Sequence, residues 1–475
     1  MTALKYGTVD DSVVERLVDI VGSENVSTRD EDIYCYSFDS SFYSHKPDVV
    51  VKPRTVEQVS EVLKLANELR IPVTARGSGT SLAGLTIPVA GGIVMDMTAM
   101  NRILEVNVDD QYVVVEPGVV CDDLNDYLKD YGYFFPPDPA SSPVCTIGGM
   151  IGTNAAGNRA IKYGTTKEHV LWLEVVLPTG EVVHMGSKTL KSVSGFNLVG
   201  LMVGSEGSLG VITKACLKMT PLPEAYATAY FIFDSIWSLG KAATRIGATR
   251  IIPEMLEFMD RNTTREALDY VGLEAPEGAF LLLDFGGLEG YVEKELERCL
   301  GEALKEKPVH YETTTDPDYR EKLVSARKAS LPALARLAPT TVVEDLTVPL
   351  SKVPETCVKL EELPGRLGVE GFYLGNYGHI GDGNMHPTFV FDGRVEEHVK
   401  AFKRGMDIIY EEIVIPFGGT VTGEHGVGLA KAKYLELEYE KGYIEVMRRI
   451  KRLLDPNMIL NPGKGKGGPY PLEVV

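Results

Sequence analysis

The sequence predicts an α+β protein of more than one domain, and three observations carry that expectation. Residues 49–223 alternate short Val-rich runs with glycine-rich turns, and from about residue 224 longer helical patterns alternate with strands. A chain of 475 residues also exceeds what one ordinary core organises.

In the first region the strand candidates are DVVVKP, IPVTARG, GGIVMDM, YVVVEPG, LEVVLPTGEVVHM and GVITKACLKM. Thr55 and Gln58 have capping-box spacing ahead of Val56, Val59, Val62, Leu63, Ala66 and Leu69, which recur at a helical period. A helix packed on a sheet is expected there. After TPLPEA at 220–225 glycine thins out, and patterns such as YVEKELERCLGEALKEK alternate with the strands FLLLDF and GFYLGNYG. From about Pro416 the chain carries GGTVTGEHGVG, a helix YIEVMRRIKRLLD, and PNMILNPGK, whose turn residues end that helix. The expected divisions are an N-terminal helical segment at 1–44, a first domain at 45–223, a second at 224–415 and a C-terminal segment at 416–475.

Composition narrows the function. With 48 Lys and Arg against 67 Asp and Glu, the net charge is -19 and the cations form no stripe, which disfavours a nucleic-acid partner. No apolar run approaches the roughly 18 to 20 residues of a membrane helix. The N-terminus MTALKYGTVDDSVVERLVDIVG lacks a basic segment followed by an apolar one, so a cytoplasmic location is expected. Six cysteines are scattered without a CxxC pair, which points to buried, reduced thiols rather than disulfides, thiolate zinc sites or iron–sulfur clusters.

Four glycine-rich stretches fall in the first region. Arg76-Gly-Ser-Gly-Thr-Ser81 follows the strand IPVTA, and its glycines let successive N–H groups converge on an anion such as a diphosphate. PPDPASS, TIGGMIGTNAAG and GSEGSLGVIT accompany it, which suggests one extended ligand. Neither GxGxxG nor GxxxxGK[ST] occurs, so NAD and nucleoside-triphosphate readings lose ground.

The second chemical signal is GNYGHIGDGNMHP at 375–387. Asp382-Gly383 is a favoured two-residue hairpin turn, and centring the turn there sets His379 directly opposite His386, with Cβ atoms roughly 5 Å apart. Such a pair can chelate a divalent metal, or be a hydrogen-bonded cross-strand pair with no ion. Glu424 and His425, bracketed by glycines in TVTGEHGVG, offer a carboxylate that could complete a two-histidine, one-glutamate site.

PRTVEQVSEVLKLANELRIPVTARGSGTSLAG, PPDPASS, TIGGMIGTNAAGNRAIKYGTT and GSEGSLGVIT together resemble the FAD-binding domain of the vanillyl-alcohol oxidase/PCMH flavoprotein superfamily, over residues 45–223. The resemblance implies a PCMH-type domain of two subdomains, followed by an α+β cap with an antiparallel sheet and a C-terminal segment returning to the flavin domain. It implies FAD contacts from Arg76, Gly77, Ser78, Gly79, Thr80 and Ser81 on the diphosphate. Pro137, Asp138, Ser141, Thr146, Gly148, Gly149, Gly152, Asn154 and Gly157 run along the rest of the cofactor, as do Gly207, Val211 and Ile212. Some members tether FAD through histidine or cysteine; Arg76 to Leu82 contains neither, so FAD is expected to be noncovalent.

HIGDGNMH followed by GEHG resembles the signature of FAD-linked D-2-hydroxyacid dehydrogenases, a class that includes the flavin-bearing component of glycolate oxidase and the D-lactate and D-2-hydroxyglutarate dehydrogenases. The resemblance implies that His379, His386 and Glu424 bind a divalent metal, zinc ahead of iron or manganese, with His425 as the base. It also implies substrate or catalytic roles for Arg327 in VSARKASLPAL and for Asn384, and places Asn461 of LLDPNMILNPGK near the flavin. TTVVEDLTVP carries Val343 where hydroxyglutarate enzymes carry lysine, which favours a small monocarboxylate, D-lactate or glycolate.

The expected reaction passes hydride from C2 of the hydroxy acid to flavin N5, between flavin and cap. Electrons then leave to an external acceptor, an iron–sulfur subunit, an electron-transfer flavoprotein or a quinone, and a homodimer is left open. Two alternatives stand beside this reading: a noncatalytic electron-transfer component of a larger oxidase, and a hydrolase using the metal alone.

Overall fold

Valine-rich runs become strands where both faces are covered, and this chain has two such sets. The computed structural model describes residues 5–464 and divides them into two units. Of the described residues, the first takes 5–156, 165–222 and 424–464, and the second takes 157–164 and 223–423. The chain returns to the first unit at Gly423/Glu424 rather than at Pro416, and residues 157–164, taken as part of the first domain in the sequence, fall with the second. Residues 1–4 and 465–475 of the expected terminal segments lie outside the described residues.

The first unit holds a four-stranded sheet in the order Val26–Ser27, Val49–Val51, Ile93–Asp96, Val73–Arg76, parallel apart from its first pair. The short strand Val26–Ser27, with Val13, Leu17 and Val21 of the helix Asp11–Val21, joins this core, so residues 5–44 are no separate segment. Helix Val56–Leu69 buries Val59, Val62, Leu63 and Ala66 in the same core, with Val56 and Leu69 at its margin. Its cap is Thr55, which accepts from Gln58 N at 3.3 Å, while Gln58 Oε1 accepts from Arg54 N at 2.8 Å rather than from Thr55.

A second, five-stranded antiparallel sheet runs Ile103–Asn107, Tyr112–Val115, Val211–Lys218, Val170–Val176, Val182–Gly186. ILEVN at 103–107, at best half-buried, is the strand that apolar patterning missed. The C-terminal segment returns to the first sheet, where Val73 N donates to Ile459 O and Asn461 N donates to Val73 O, each at 2.8 Å. All six thiols are free and five are buried; Cys35, at the end of helix Asp30–Cys35, is exposed, which corrects the expectation that all would be buried.

The second unit is built on one antiparallel sheet in the order His310–Thr314, Ala225–Phe233, Ala279–Gly287, Met255–Met259, Tyr373–His379, Asn384–Phe391, Thr340–Val343, with Leu346–Thr347 also paired to Asn384–Phe391. Helices including Ile236–Ala248, Arg261–Val271 and Val353–Leu367 bury apolar faces. Among the described residues no helix is long and apolar enough to cross a membrane.

The histidine hairpin forms, with its register two residues from that expected. Tyr377 pairs with His386 and His379 pairs with Asn384, leaving the four-residue loop Ile380 to Gly383. A two-residue type I′ turn needs positive φ at both Asp382 and Gly383, and only Gly383 has it, at φ 85°. Gly383 is held there by Val348 N, which donates to its carbonyl at 3.1 Å, and a Cβ would stand 2.2 Å from Val348 O. Because strands alternate with a period of two, the shift leaves both histidines on one face.

Asp260 joins helix to hairpin from the other side of this sheet. One oxygen caps helix Arg261–Val271 by accepting from Thr263 N at 2.7 Å, and the other accepts from Asn376 N at 2.8 Å. Burial, working against those bonds, pushes its carboxyl up to about 6. A raised carboxyl contributes stability that is complete below its unfolded value and lost as pH rises through the folded one. Chemical denaturation should therefore show the stability advantage of the native chain over Asp260→Asn shrinking by about 3 kcal/mol between about pH 4 and pH 6. A pH-independent difference would deny Asp260 this role.

Candidate functional site

In the first unit the glycine-rich stretches meet at the C-terminal end of strand Val73–Arg76. Gly77 lies against Thr146, so close that a Cβ would come 2.2 Å from its Oγ1. Thr146 caps helix Ile147–Thr153 by accepting from Gly149 N at 3.3 Å. At the far end of that helix, Gly204 N donates to Ile151 O at 2.9 Å and Glu206 N donates to Gly152 O at 2.8 Å. Gly207 has φ 67°, and a Cβ there would find Ala75 no nearer than 4.0 Å. The backbone of 77–81, 146–152 and 204–207 thus gathers at one place, and at Gly152 a Cβ would meet nothing within 4 Å. Such open, glycine-lined backbone is a cradle that a large planar, phosphate-bearing group can occupy.

The individual residues divide by task. Arg76, expected on the diphosphate, packs its guanidinium against the loop backbone at Gly79, where a Cβ would stand 2.1 Å from Nη2. Its Nη1 donates to Phe38 O at 2.8 Å and Thr86 Oγ1 at 3.3 Å, and the group lies over the Tyr36 ring at 5.4 Å. Asn154 is a left-handed helix terminus at φ 61° whose Oδ1 accepts from Thr165 Oγ1 and Lys167 N, each at 2.9 Å. Both are scaffold. Pro137 O accepts from Cys121 Sγ at 3.6 Å, and Ser141 O accepts from Val144 N and Cys145 N at 2.9 and 2.8 Å, which secures the turn leading to Thr146. Asp138 is buried. Gly148 packs against Pro117, Val211 and Ile212 pair with Val176 and Val175, and Gly157 opens the segment that falls with the second unit. Ser78, Gly79, Thr80 and Ser81 form the loop itself, with Ser81 Oγ accepting from Ala83 N and Leu85 N at 3.2 and 3.1 Å.

Asn461 is buried at φ 43° and donates to Leu85 O at 3.0 Å and Glu206 O at 2.7 Å, so it splices two of these loops through their backbone. Lys464 acts beside it, with Nζ donating to Gly84 O at 3.1 Å and to Ile87 O. Burial pushes that ammonium down to about 7, against the pull of Asp39 and Glu206. Glu206 in turn accepts from Val427 N at 2.7 Å and Gly428 N at 3.1 Å. Sequence reasoning missed Glu206 and Lys464, for which the sequence offered no spacing rule.

In the second unit the hairpin face carries the two histidines with ring centroids 5.2 Å apart, the planes nearly perpendicular at 84°. Each has a buried carboxylate near its Nδ1. Glu257 Oε1 lies 2.7 Å from His379 Nδ1, and since a carboxylate only accepts, Nδ1 is the donor, and in a neutral ring Nε2 is the nitrogen left to coordinate. Asp345 Oδ1 lies 3.8 Å from His386 Nδ1.

Arg327, expected to hold a substrate carboxylate, is 5% exposed on helix Pro317–Lys328. Its Nη2 sits 2.9 Å from Glu257 Oε2 and the guanidinium lies over the Tyr377 ring at 4.9 Å. The N–H is not aimed at that oxygen, so the contact is an ion pair that leaves Arg327 Nε buried with no hydrogen-bond partner among the described residues. A buried guanidinium with an unmet donor is fitted to accept one further anion.

Asn384, expected among the catalytic residues, has its amide nitrogen occupied. It donates to Asp345 Oδ1 at 2.6 Å, Leu346 O at 2.9 Å and Thr347 Oγ1 at 3.1 Å, which makes it a brace for the hairpin. The other Asp345 oxygen accepts from Thr422 Oγ1 at 2.6 Å and Gly423 N at 2.8 Å. Glu424 and His425 are the next two residues, so this anchor fixes where they emerge. Within the second unit His379 and His386 stand side by side with the Asp345 carboxylate next to His386. Two imidazoles and a carboxylate at that spacing suit a divalent metal.

Glu257 and Asp345 were the functional residues missed. Glu257 was visible as an acid in the middle of the apolar strand MLEFM, where charge is expected only if paired. Asp345 sat in VEDLTVP, two residues beyond Val343, with no spacing rule to single it out.

Comparison with known proteins agrees with this division. Residues 47–186 match the FAD binding domain model and residues 222–465 match the model of the C-terminal domain of FAD linked oxidases. The chain is 38% identical over 455 residues to a glycolate oxidase subunit GlcD of Bacillus subtilis, covering 95% of this chain and 96% of that one. It is 34% identical to a mitochondrial D-lactate dehydrogenase (cytochrome) of Arabidopsis thaliana, covering 97% and 81% of the two chains. Among solved structures, 4-ethylphenol oxidase from Gulosibacter chungangensis superposes with a TM-score of 0.78 at 18% identity, over 99% of each chain. p-Cresol methylhydroxylase follows with a TM-score of 0.77 at 17% identity, over 97% and 98%, which establishes the PCMH-type fold. With both halves matched and relatives this similar along nearly the whole length, the chain belongs to the FAD-linked oxidase family that includes the GlcD glycolate oxidase subunits and the D-lactate dehydrogenases, and is a flavin-dependent oxidoreductase.

Proposed function

We propose that the protein oxidises a small D-2-hydroxy acid, D-lactate or glycolate, to its 2-oxo acid, with FAD, held noncovalently, as the immediate electron acceptor. The observation that carries the reading is the hairpin face of the second unit, where buried His379 and His386 lie side by side and Glu257 holds both His379 and Arg327. Relatives named as glycolate oxidase subunits and D-lactate dehydrogenases support the substrate class.

The oxidation removes the hydroxyl proton and a hydride from C2, and FAD, when bound, would supply the hydride acceptor. Arg327 orients the substrate by binding its carboxylate through the unmet Nε–H, while Tyr377 holds the guanidinium plane. His379, His386 and Glu424 would hold a divalent ion, zinc ahead of iron or manganese, which when bound polarises the hydroxyl as a Lewis acid. His425, next in the chain to Glu424, takes the hydroxyl proton; a reference pKa near 6.5 leaves imidazole able to do so at neutral pH. Val343 is buried and paired with Thr388, so that position supplies no cation for a second substrate carboxylate. An external acceptor, an iron–sulfur subunit, an electron-transfer flavoprotein or a quinone, would be needed to take up the electrons.

Membership in a flavin-dependent family removes the support for a metal-only hydrolase. The other alternative, a noncatalytic relay component, differs in one observable: under anaerobic conditions D-lactate or glycolate should bleach the flavin of the isolated protein, and no bleaching by either would favour the relay. His425→Ala should retain stoichiometric FAD while kcat falls by about 10²- to 10⁴-fold; unchanged kcat would remove His425 from the reaction. Removing metal with a chelator under conditions that leave FAD bound should abolish turnover, and zinc, iron or manganese should restore it. Steady-state kinetics should give kcat/KM for D-lactate or glycolate at least about tenfold above that for D-2-hydroxyglutarate, the worth of one missing ionic contact; comparable values would refute the monocarboxylate assignment.

A further inference from the structure

We propose that Glu257 is a positioning residue that couples the metal ligand His379 to the substrate-binding Arg327 through one shared carboxylate. The proposal rests on the reading of His379 as a ligand and Arg327 as the carboxylate anchor, and goes beyond it by assigning how each is held.

The geometry is specific to this pair. Glu257 is 1% exposed in the strand Met255–Met259, whose neighbour on one side is the hairpin strand Tyr373–His379. One oxygen meets His379 Nδ1 at 2.7 Å and the other meets Arg327 Nη2 at 2.9 Å. An ionised carboxylate this deep is costly unless both oxygens face cations or donors, and here each faces one. The two ends do different work. At His379 the carboxylate fixes the tautomer and presents Nε2 for coordination, the arrangement that strengthens metal binding by imidazole. At Arg327 the ion pair and the Tyr377 ring fix the plane of the guanidinium while leaving Nε unmet.

One carboxylate serving two partners makes their states interdependent. A glutamine at 257 has a single acceptor oxygen, and its NH₂ group can satisfy neither Arg327 nor the Nδ1–H of His379. The two donors would then compete for that oxygen, and the stronger cation, Arg327, would take it. Removing the guanidinium should free the oxygen for His379 again.

Zinc affinity of the FAD-loaded protein, measured by competition with a chromogenic chelator, reads this without turnover. Glu257→Gln should weaken zinc by about 10- to 100-fold, the size typical of losing an outer carboxylate. Arg327→Met alone should change zinc affinity by less than about threefold, and adding it to Glu257→Gln should recover most of the loss, a non-additivity expected only of coupled neighbours. FAD content and melting temperature, measured on each variant, separate these effects from misfolding. Zinc affinity unchanged in Glu257→Gln, or a double variant no better than that single one, would overturn the coupling. A parent protein that binds no zinc would instead overturn the metal-centre reading itself, and would do so before any variant is made.

Discussion

The chemistry of the second unit depends on one buried anion, Asp345. Its carboxylate is fully buried, and stripping water from such a group costs several kcal/mol unless donors replace it. They do: Asn384 Nδ2 and Thr422 Oγ1 at 2.6 Å and Gly423 N at 2.8 Å divide its two oxygens between the hairpin and the segment that ends at Gly423. Tyr410 secures the corner behind it, donating to Glu344 Oε2 at 3.1 Å and Asp345 O at 3.0 Å from the π-helical stretch Ile408–Val414. An extra residue per turn in such a stretch re-aims side chains, and here the re-aimed tyrosine holds the backbone of the acid that holds the site. Were this anion replaced by an apolar group, the hairpin would keep its ladder, but the link from Asn384 to Thr422 and Gly423 would be lost.

Much of this was legible because periodicity is robust to small errors. The hairpin was expected with a two-residue turn and has a four-residue loop, yet the histidines still share a face, since a shift of two residues preserves strand parity. A shift of one would have sent His386 to the helix side of the sheet. The loop length itself was not legible: it depends on Val348, a residue of another segment, pressing on Gly383. The same holds for Glu257 and Asp345, whose partners lie 122 and 39 residues away for the bonds to His379 and Asn384. Motif spacing records local geometry, whereas the partners that orient a motif are set by tertiary contacts.

The glycine-rich loops of the first unit follow a related logic. Glycines mark where the backbone must stay open, and they were readable as such, but which neighbouring side chains point inward was not. Arg76 stood at the start of an anion loop and read as its charge; the fold engages it with Phe38 O and Tyr36 instead. A cation under such a loop need not touch the ligand, because backbone N–H groups supply the favourable field. The loops are registered by backbone-directed contacts, Asn461 to Leu85 and Glu206, and Lys464 to Gly84 and Ile87, which sequence changes in the loops would leave largely intact.

The overall charge of -19 would by itself argue against an anionic substrate, and the distances decide the question. Exposed charges are screened over about 8 Å at physiological ionic strength, so the acidic exterior acts mainly on approach rate. Within the site the balance is local. Arg327 offers one permanently charged group with an unmet donor, the two imidazoles can hold a dication, and Glu257 and Asp345 are already engaged with donors of the protein. An incoming carboxylate therefore meets a cation whose partner carboxylate is tied to the opposite side by His379, and it does not have to displace that partner to bind. Val343, buried and paired with Thr388, offers no cation to a second carboxylate of a longer acid. On the proposed function, selectivity for a short, singly charged hydroxy acid would arise from the cation that position 343 lacks as much as from what Arg327 provides.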